Sequence, residues 1–488
     1  MRIHLVGVAG TGMGQLALLL RNEGHDVSGS DVSFDPPMGP ALEAAGIRCL
    51  RGWNEEHIAK EVELVVVGNA IQKDNIEAVK AVAIDLPRTS MSRALRERFL
   101  VGKRPLVVTG THGKTTTSAM CAWILECAGR EPGMFIGGIP KNFKSGSRAA
   151  PSRKKIVGGT ALAAPFVVEG DEYDAVYWHK KPKFFDYVGI SNEDVVIVTS
   201  IEHDHIDIYP TAEAYEAQFV EMLGMLPEGG LVACDARDVR AREIVSKHAR
   251  SRTAFYGLDG DATGDVTPTW SGALVAPDPI TGVQPFDLFI GGSSLGRFAL
   301  KVPGAHNVRN AIGALAACAE GFGVDIELAR KALASFEGVR RRQDLLGTPG
   351  GIAVYDDFAH HPTAVDETLR ALRSRHPSGR LWAVFEPRSA TACRNLHQAE
   401  YAHSFRAADR VLFAPLGRSN VPESERLDVS QLARELGNGA VAASSVDAIV
   451  ETITREARAG DVVALLSNGA FGGIHARLLT ELEARGSG

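Results

Sequence analysis

Cysteine is scarce in this chain: the 488 residues contain six, Cys49, Cys121, Cys127, Cys234, Cys318 and Cys393. None pairs as Cys-x-x-Cys or keeps a zinc-ligand spacing, which excludes a disulfide scaffold and a structural zinc module. The thiols read as those of a reducing cytosol, so a cytoplasmic location is expected. Long apolar runs are also missing, none approaching the ~20 residues that span a bilayer, and no membrane partner is expected. The opening MRIHLVGVAGTGMG has one arginine and a short apolar run, with glycines where a signal peptide would extend its apolar region. The chain is therefore expected to start directly with its fold. An excess of basic residues is absent, with 53 Lys and Arg against 59 Asp and Glu and a net charge of −6, so no nucleic-acid partner is expected. The one basic cluster, SRKK at 152–155, lies among Pro, Ser and Gly and reads as a solvated loop. No short repeat or low-complexity segment is present.

What is there is an alternation of strands and helices. IHLVGV, DVSGSD and ELVVVGN read as strands around a helix in MGQLALLLRNEG, a βαβ rhythm with a parallel sheet. A second series starts at PLVVTG (105–110) and continues through TTTSAMCAWILECAG, FVVEGDE and VVIVTSIEHDH. Its later part, 270–304, is a Gly/Pro-punctuated run that suits antiparallel hairpins at a sheet edge. A third series runs through GIAVYDDF, RLWAVFEP, RVLFAPL and VVALLSN. The boundaries fall near 103 and 337, giving an α/β chain of three domains, 1–103, 104–337 and 338–488.

The stretch VTGTHGKTTTSAM (108–120) carries the first chemical signal. A strand that ends in a glycine turn and enters a helix gathers free N–H groups and the positive helix end at one point. Lys114 would reach outer phosphates and Thr115 or Thr116 would offer a hydroxyl to Mg²⁺. The loop is shorter than G-x-x-x-x-G-K-[ST], because Val108 stands six before Lys114. GVAGTGMG (7–14) raises a second phosphate turn: Gly10, Thr11, Gly12 and Met13 open a helix, Gln15 replaces the third glycine, and Asp31 follows where a ribose-binding acid would sit. Close helix–strand packing is the plainer account of these glycines. VVEGDEYD places Glu169, Asp171 and Glu172 after one strand, and VTSIEHDHIDIY places Glu202, His203, Asp204 and His205 after another. In a parallel sheet both emerge at the edge that carries the lysine loop, where carboxylates and an imidazole can hold Mg²⁺. A zinc site is disfavoured because histidines at i, i+2 in an extended segment point apart; surface acids or a helix cap at Asp204 are the other accounts.

TGTHGKTTT, VEGDEYD, IEHDHID, PGAHNVRNAIGALAAC, VRRRQD and YDDFAHHPTA, in this order, resemble the Mur ligase family over nearly the whole chain. The resemblance implies a three-domain Mur ligase architecture: a Rossmann-like N-terminal domain binding UDP-N-acetylmuramate, a P-loop ATPase-like central domain and a Rossmann-like C-terminal domain binding the acceptor. It implies an ATP- and Mg²⁺-dependent ligase that forms an amide through an acyl phosphate. SDVSFDPPMGPALEAAGI, GGIPKNF, FEPRSATAC and LLSNGAFGGIHARLL are similar to members that attach the ready-made tripeptide L-alanyl-γ-D-glutamyl-meso-diaminopimelate, in cell-wall recycling, rather than to those that add L-alanine. Folylpolyglutamate synthase shares the scheme, but the N-terminal glycine turn argues for a UDP-sugar. A dehydrogenase rests on that weak turn alone, and a non-enzymatic nucleotide-binding regulator would lack the acyl-transfer residues. A monomer or weak homodimer is expected.

Residue by residue, the resemblance implies that Gly110, Thr111, His112, Gly113, Lys114, Thr115 and Thr116 hold ATP phosphates, with Thr115, Glu169 and His205 as metal ligands. His306, Asn307 and Asn310 match adenine-side residues, Arg342 an interdomain phosphate contact and Asp357 a ribose contact. Lys114, Glu169, His205 and Arg342 would carry catalysis. Asn307 as a helix cap, Arg341 in place of Arg342, and the arginines as an exposed hinge stripe stay open. UDP-sugar contacts fall on Gly10, Thr11, Gly12, Met13 and Asp31. For the peptide, His361 would orient substrate or cap the following helix, Arg388 would pair with a carboxylate, and Ser467 and Asn468 would meet polar groups or form a βα turn. The lysine that carries a carbamate in several members has no counterpart in AYEAQFVEML (214–223).

Overall fold

The computed structural model describes all residues except Pro37, Arg153, Lys154, Gly158, Gly159, Pro279, Ser419, Asn438, Ser487 and Gly488, and the side chains at 155–157, 160–162 and 486. Two residues of the basic cluster thus lie outside the described residues, while Lys155 opens a small hairpin, Lys155–Val157 with Thr160–Leu162.

Three larger sheets follow one another along the chain. In the first, Arg48–Arg51, Asp26–Asp31, Arg2–Val6, Leu64–Val67 and Arg88–Ser90 lie side by side, all parallel. Strand order reverses beside Arg2–Val6, and the glycine turn leaves that strand at its carboxyl end, where such sheets bind ligands.

The second sheet has ten strands. Its parallel centre places Arg104–Thr109 between Pro165–Glu169 and Val195–Val198. VVIV at 195–198 is buried throughout, because a sheet covered on both faces favours β-branched residues without alternation. The parallel register puts Thr109, Glu169 and Val198 at one edge, so the lysine loop and both acidic segments leave the sheet together. At the far edge Trp270–Leu274, Gln284–Ile290 and Ser293–Leu300 are joined antiparallel, as the Gly/Pro punctuation of 270–304 predicts. The helix Lys114–Cys127 is buried from Thr115 through Ala122, packed between the sheet and the helices Ala305–Ala316 and Ile326–Ser335.

The third sheet runs Asp344–Gly347, Ala353–Asp357, Val462–Leu466, Leu381–Phe385, Arg410–Phe413 and Ala440–Ala442, parallel except for the first. Its two faces carry separate apolar cores built from residues beyond 351. The first two sheets instead share a core, with Leu16, Met91 and Phe99 in one cluster with Phe166, Phe184 and Tyr187. The third unit therefore has its own core, and the first two are tied together.

The link into the third unit is backbone-strained. Arg341 and Gln343 sit at φ +60° and +47°, a region that costs non-glycine residues about 1–3 kcal/mol. Val339 bridges Pro140 on one side and Arg342 on the other.

Candidate active site

The loop between Arg104–Thr109 and the helix Lys114–Cys127 turns on two glycines. Gly110 has φ +119°, and a Cβ there would lie 2.5 Å from Thr199 Oγ1 and 2.8 Å from Ser200 N. Gly113, φ +78°, precedes the helix, and a Cβ there would meet Asn310 Oδ1 at 2.5 Å. Only glycine reconciles these angles with such close neighbours.

Lys114 lies across the loop it closes. Its Nζ donates to Gly110 O at 2.5 Å and to both oxygens of Glu172 at 3.0 and 2.9 Å. Burial works against the ammonium, and Glu172, Glu169 and Asp171 overcome it, raising the lysine's pKa. Next to it, Thr115 Oγ1 donates to Glu169 Oε1 at 2.9 Å, while Glu169 Oε2 accepts from Gly137 N at 2.7 Å. Arg342 Nη2 reaches the same hydroxyl at 3.3 Å, its guanidinium 4.9 Å from the Phe358 ring centre. His205, in left-handed backbone at φ +53°, holds Nε2 at 3.7 Å from Glu172 Oε2 and its ring 4.4 Å from that of Tyr173. Hard oxygens from Thr115 and Glu169, with one imidazole nearby, are a donor set suited to Mg²⁺. His203 turns away to Tyr209 O at 2.8 Å, so the two histidines do not converge on zinc.

Two recesses flank the loop. A crevice of about 60 Å³ is lined by His112, Gly113, Thr116, His306, Asn307, Asn310, Arg342 and Asp357, drawing on both the second and the third sheet. Asn307 is not the helix cap: that position is Gly304, and the Asn307 amide donates to Pro303 O at 2.7 Å. Asp357 accepts from Gln343 N and Ala359 N, both at 2.7 Å. The larger recess, about 740 Å³, is lined at one end by Gly10, Thr11, Gly12, Met13 and Asp31 and at the other by Gly137, Glu169, Asp171 and Lys183. Asp31 accepts from Ala9 N at 2.9 Å and Val32 N at 2.8 Å, which holds the glycine turn in place.

The third unit faces the loop through His361. Its side chain makes no cap to the helix Pro362–Arg375; it lies 3.6 Å from Glu202 Oε2, which also pairs with His112 Nε2 at 3.3 Å and accepts from Thr363 at 2.7 Å. Arg388 is exposed, packs over Gly469 and lies 3.8 Å from Glu386. Ser467 departs from the expectation of a peptide contact: it is fully buried and its hydroxyl donates to Glu386, while Gly469 N donates to it at 2.9 Å. It braces the turn instead, which leaves Asn468, with a buried Oδ1 that has no partner among the described residues, as the polar group of that loop.

Three family models match consecutive stretches: "Mur ligase family, catalytic domain" at 2–99, "Mur ligase middle domain" at 108–318 and "Mur ligase, glutamate ligase domain" at 341–469. The chain is 34% identical over 485 residues to a UDP-N-acetylmuramate–L-alanyl-γ-D-glutamyl-meso-2,6-diaminoheptandioate ligase of Escherichia coli (strain K12), covering 99% of this chain and 98% of that one. The chain belongs to the Mur ligase family. A UDP-N-acetylmuramate–L-alanine ligase of Chloroflexus aggregans is also 34% identical, over 98% of both chains. The crystal structure of a murein peptide ligase from Psychrobacter arcticus 273-4 superposes with a TM-score of 0.71 at 32% identity over 99% of each chain.

In this Mur ligase the residues that share a motif come together, and those that join domains were not assembled from sequence. Glu202, His112 and His361 offer ligand atoms within 4.8 Å of one another. Burial, with the charge of His112 next, pushes His361 down to about 3, so it is neutral at pH 7. Against burial, His112 holds Glu202 down to about 2, and Glu202 raises His112.

A depressed histidine stabilises the fold fully above its unfolded value of 6.5, and that stability is lost as pH falls toward 3. His112 acts oppositely and is constant below 6.5, and Glu202 contributes no loss until below 4.5. The expected outcome is a thermal midpoint that falls from pH 6.5 to 5, with His361 contributing up to about 1.4 kcal/mol per pH unit. His306, His360 and His397 are lowered by burial too, so His361→Phe should leave a shallower slope rather than none. An unchanged slope in that variant, followed by circular dichroism, would show that His361 takes its proton alike in the folded and unfolded chain, so that the fold does not hold it neutral.

Proposed function

We propose that this Mur ligase joins L-alanyl-γ-D-glutamyl-meso-diaminopimelate to the lactyl carboxylate of UDP-N-acetylmuramate, using ATP and Mg²⁺, in the cytoplasmic recycling of peptidoglycan. One observation carries the reading. The large recess runs from the N-terminal glycine turn to Glu169, Glu169 holds Thr115 beside Lys114, and Arg342 reaches the same hydroxyl from the link to the third unit. In this reading residues 1–103 bind the sugar nucleotide, 104–337 bind ATP and 338–488 bind the peptide.

The chemistry follows from the leaving group. A carboxylate does not condense with an amine in water, because oxide cannot depart. Here a lactyl oxygen bonds to Pγ as the Pγ–O bond to ADP breaks. The peptide's amine nitrogen then bonds to the carbonyl carbon, the C–O bond to phosphate breaks, and the nitrogen sheds a proton. Free N–H groups at the Lys114–Cys127 helix start donate to phosphate oxygens. Lys114 exchanges Glu172 for the outer phosphates, and Arg342 neutralises charge from the opposite side. Thr115, Glu169 and His205 would hold Mg²⁺, which when bound would supply charge neutralisation. His361, neutral and with both ring nitrogens unpartnered among the described residues, is buried beside Glu202 and the lysine loop's His112. The exposed guanidinium of Arg388 suits an acceptor with several carboxylates better than L-alanine alone.

Phosphate release with ATP, Mg²⁺ and UDP-N-acetylmuramate, with products identified by mass, separates the acceptors. Turnover with the tripeptide and not with L-alanine is expected. The reverse would assign the chain to the L-alanine-adding step.

A further inference from the structure

Lys183 is a buried ammonium with unused hydrogen-bonding capacity, and no motif in the sequence marks it. It opens the short helix Lys183–Asp186, whose Phe184 is fully buried and fixes the backbone; Lys183 N donates to Tyr173 O at 3.1 Å. Its side chain is 8% exposed, and Nζ donates to Asp171 Oδ2 at 2.9 Å with the Tyr173 ring centre at 5.7 Å. An ammonium has three donors. Among the described residues Asp171 supplies the hydrogen-bond acceptor, which leaves donors for a ligand.

The spare donors of the ammonium call for an acceptor, and an anion suits them best. Lys183 lines the 740 Å³ recess together with Asp31, Asp35, Glu169 and Asp171, and among the described lining residues it is the one cationic side chain. A sugar nucleotide entering this recess brings a diphosphate and, on a muramate, a lactyl carboxylate. The diphosphate has the glycine turn and the start of the helix Thr11–Asn22, whose cap Gly10 carries no competing side chain. The carboxylate has to lie at the other end, where it must meet the nucleotide held by the lysine loop. At that end Lys183 is the ammonium that lines the recess, beside Glu169 and Asp171.

We propose that Lys183, oriented by Asp171, is the carboxylate-binding residue of the sugar-nucleotide site and selects muramate over sugars without the lactyl group. The inference rests on the function proposed above. The ammonium donates to one carboxylate oxygen and leaves the other free to attack Pγ. It keeps its proton throughout, so its contribution is charge and orientation rather than proton transfer. Asp171, whose Oδ1 accepts from Tyr173 N at 2.8 Å, fixes the direction of the ammonium and is a positioning residue.

Calorimetric titration of the full-length protein with UDP-N-acetylmuramate and with UDP-N-acetylglucosamine, the same nucleotide without the lactyl ether, tests this without turnover. Wild type is expected to favour the muramate. Lys183→Met should weaken muramate binding by roughly 10- to 100-fold, the range for a charge-assisted hydrogen bond, and change glucosamine binding less than about threefold. Lys183→Arg should recover part of the preference. Asp171→Asn keeps the ammonium but loosens its direction and should lower the preference by less than Lys183→Met does, which also serves where Lys183→Met folds poorly. Equal weakening toward both nucleotides, or loss of preference in Asp171→Asn alone, would make Lys183 a wall of the recess and overturn its assignment. Wild type binding neither nucleotide would instead overturn the function on which the inference rests.

Discussion

Lys114→Met is expected to lower ATP-dependent ligation by roughly 10²- to 10³-fold, the scale seen when a preorganised donor is removed from a transition state. The same substitution should cost stability, and the structure says why. Lys114 is the ammonium that holds both oxygens of Glu172, and the Glu172 side chain is 2% exposed. Removing one partner of a buried pair leaves the other charge uncompensated, at about 3–5 kcal/mol. Loss of activity in the single variant therefore mixes two causes. Lys114→Met combined with Glu172→Gln separates them, since the neutral amide needs no counter-ion. The double variant should recover most of the unfolding free energy measured in urea and none of the single-turnover rate. Recovered activity with methionine at 114 would mean that the lysine serves the fold and not the phosphates.

The elements legible in the sequence were those whose burial is complete. LVVV at 64–67 and VVIV at 195–198 admit one reading in an alternating chain, because continuous β-branched runs belong to parallel strands covered on both faces. Arg48–Arg51 and Arg88–Ser90 carry RCLR and RTS, with no apolar run to mark them; they become strands because neighbouring strands offer a ladder. The same divide runs through the site. Lys114, Thr115 and the glycines are local to one turn, so spacing along the chain reveals them. Thr363 on Glu202, Thr391 on Asp204 and Arg237 on Glu367 lie 161, 187 and 130 residues apart. Nothing local signals such pairs, because they exist only once the third unit has closed on the second.

These contacts join the third unit to the second through specific polar pairs. The third unit has its own cores, so what holds it against the lysine loop is polar: hydroxyl to carboxylate, guanidinium to carboxylate, imidazole beside imidazole. Such interfaces favour relative motion of domains unless they are large and apolar. A ligand that replaces the polar pairs by phosphate contacts shifts that balance by its differential affinity for the closed form.

Arg342 is where this coupling should show most strongly. The sequence left Arg341 and Arg342 as alternatives, since adjacent arginines in an unassigned linker are indistinguishable by spacing. The backbone separates them. Arg341, at φ +60°, sends its guanidinium to Asp356 at 3.3 Å and to the carbonyls of Ser467 and Gly469, both at 2.8 Å, so it braces the third unit. Arg342 turns the other way, onto Thr115. Arg342→Ala should reduce kcat by roughly 10³-fold or more, as for an arginine placed on a transferring phosphoryl group, with little change in sugar-nucleotide binding. Arg342→Lys keeps the charge but not the planar fork and should recover only part of the rate. Arg341→Ala should act mainly on unfolding, because its partners are backbone carbonyls and Asp356 rather than the loop. If steady-state kinetics and thermal unfolding assign the larger rate loss to Arg341, the phosphate contact belongs to the neighbour and the linker must rotate on closure, exchanging one guanidinium for the other.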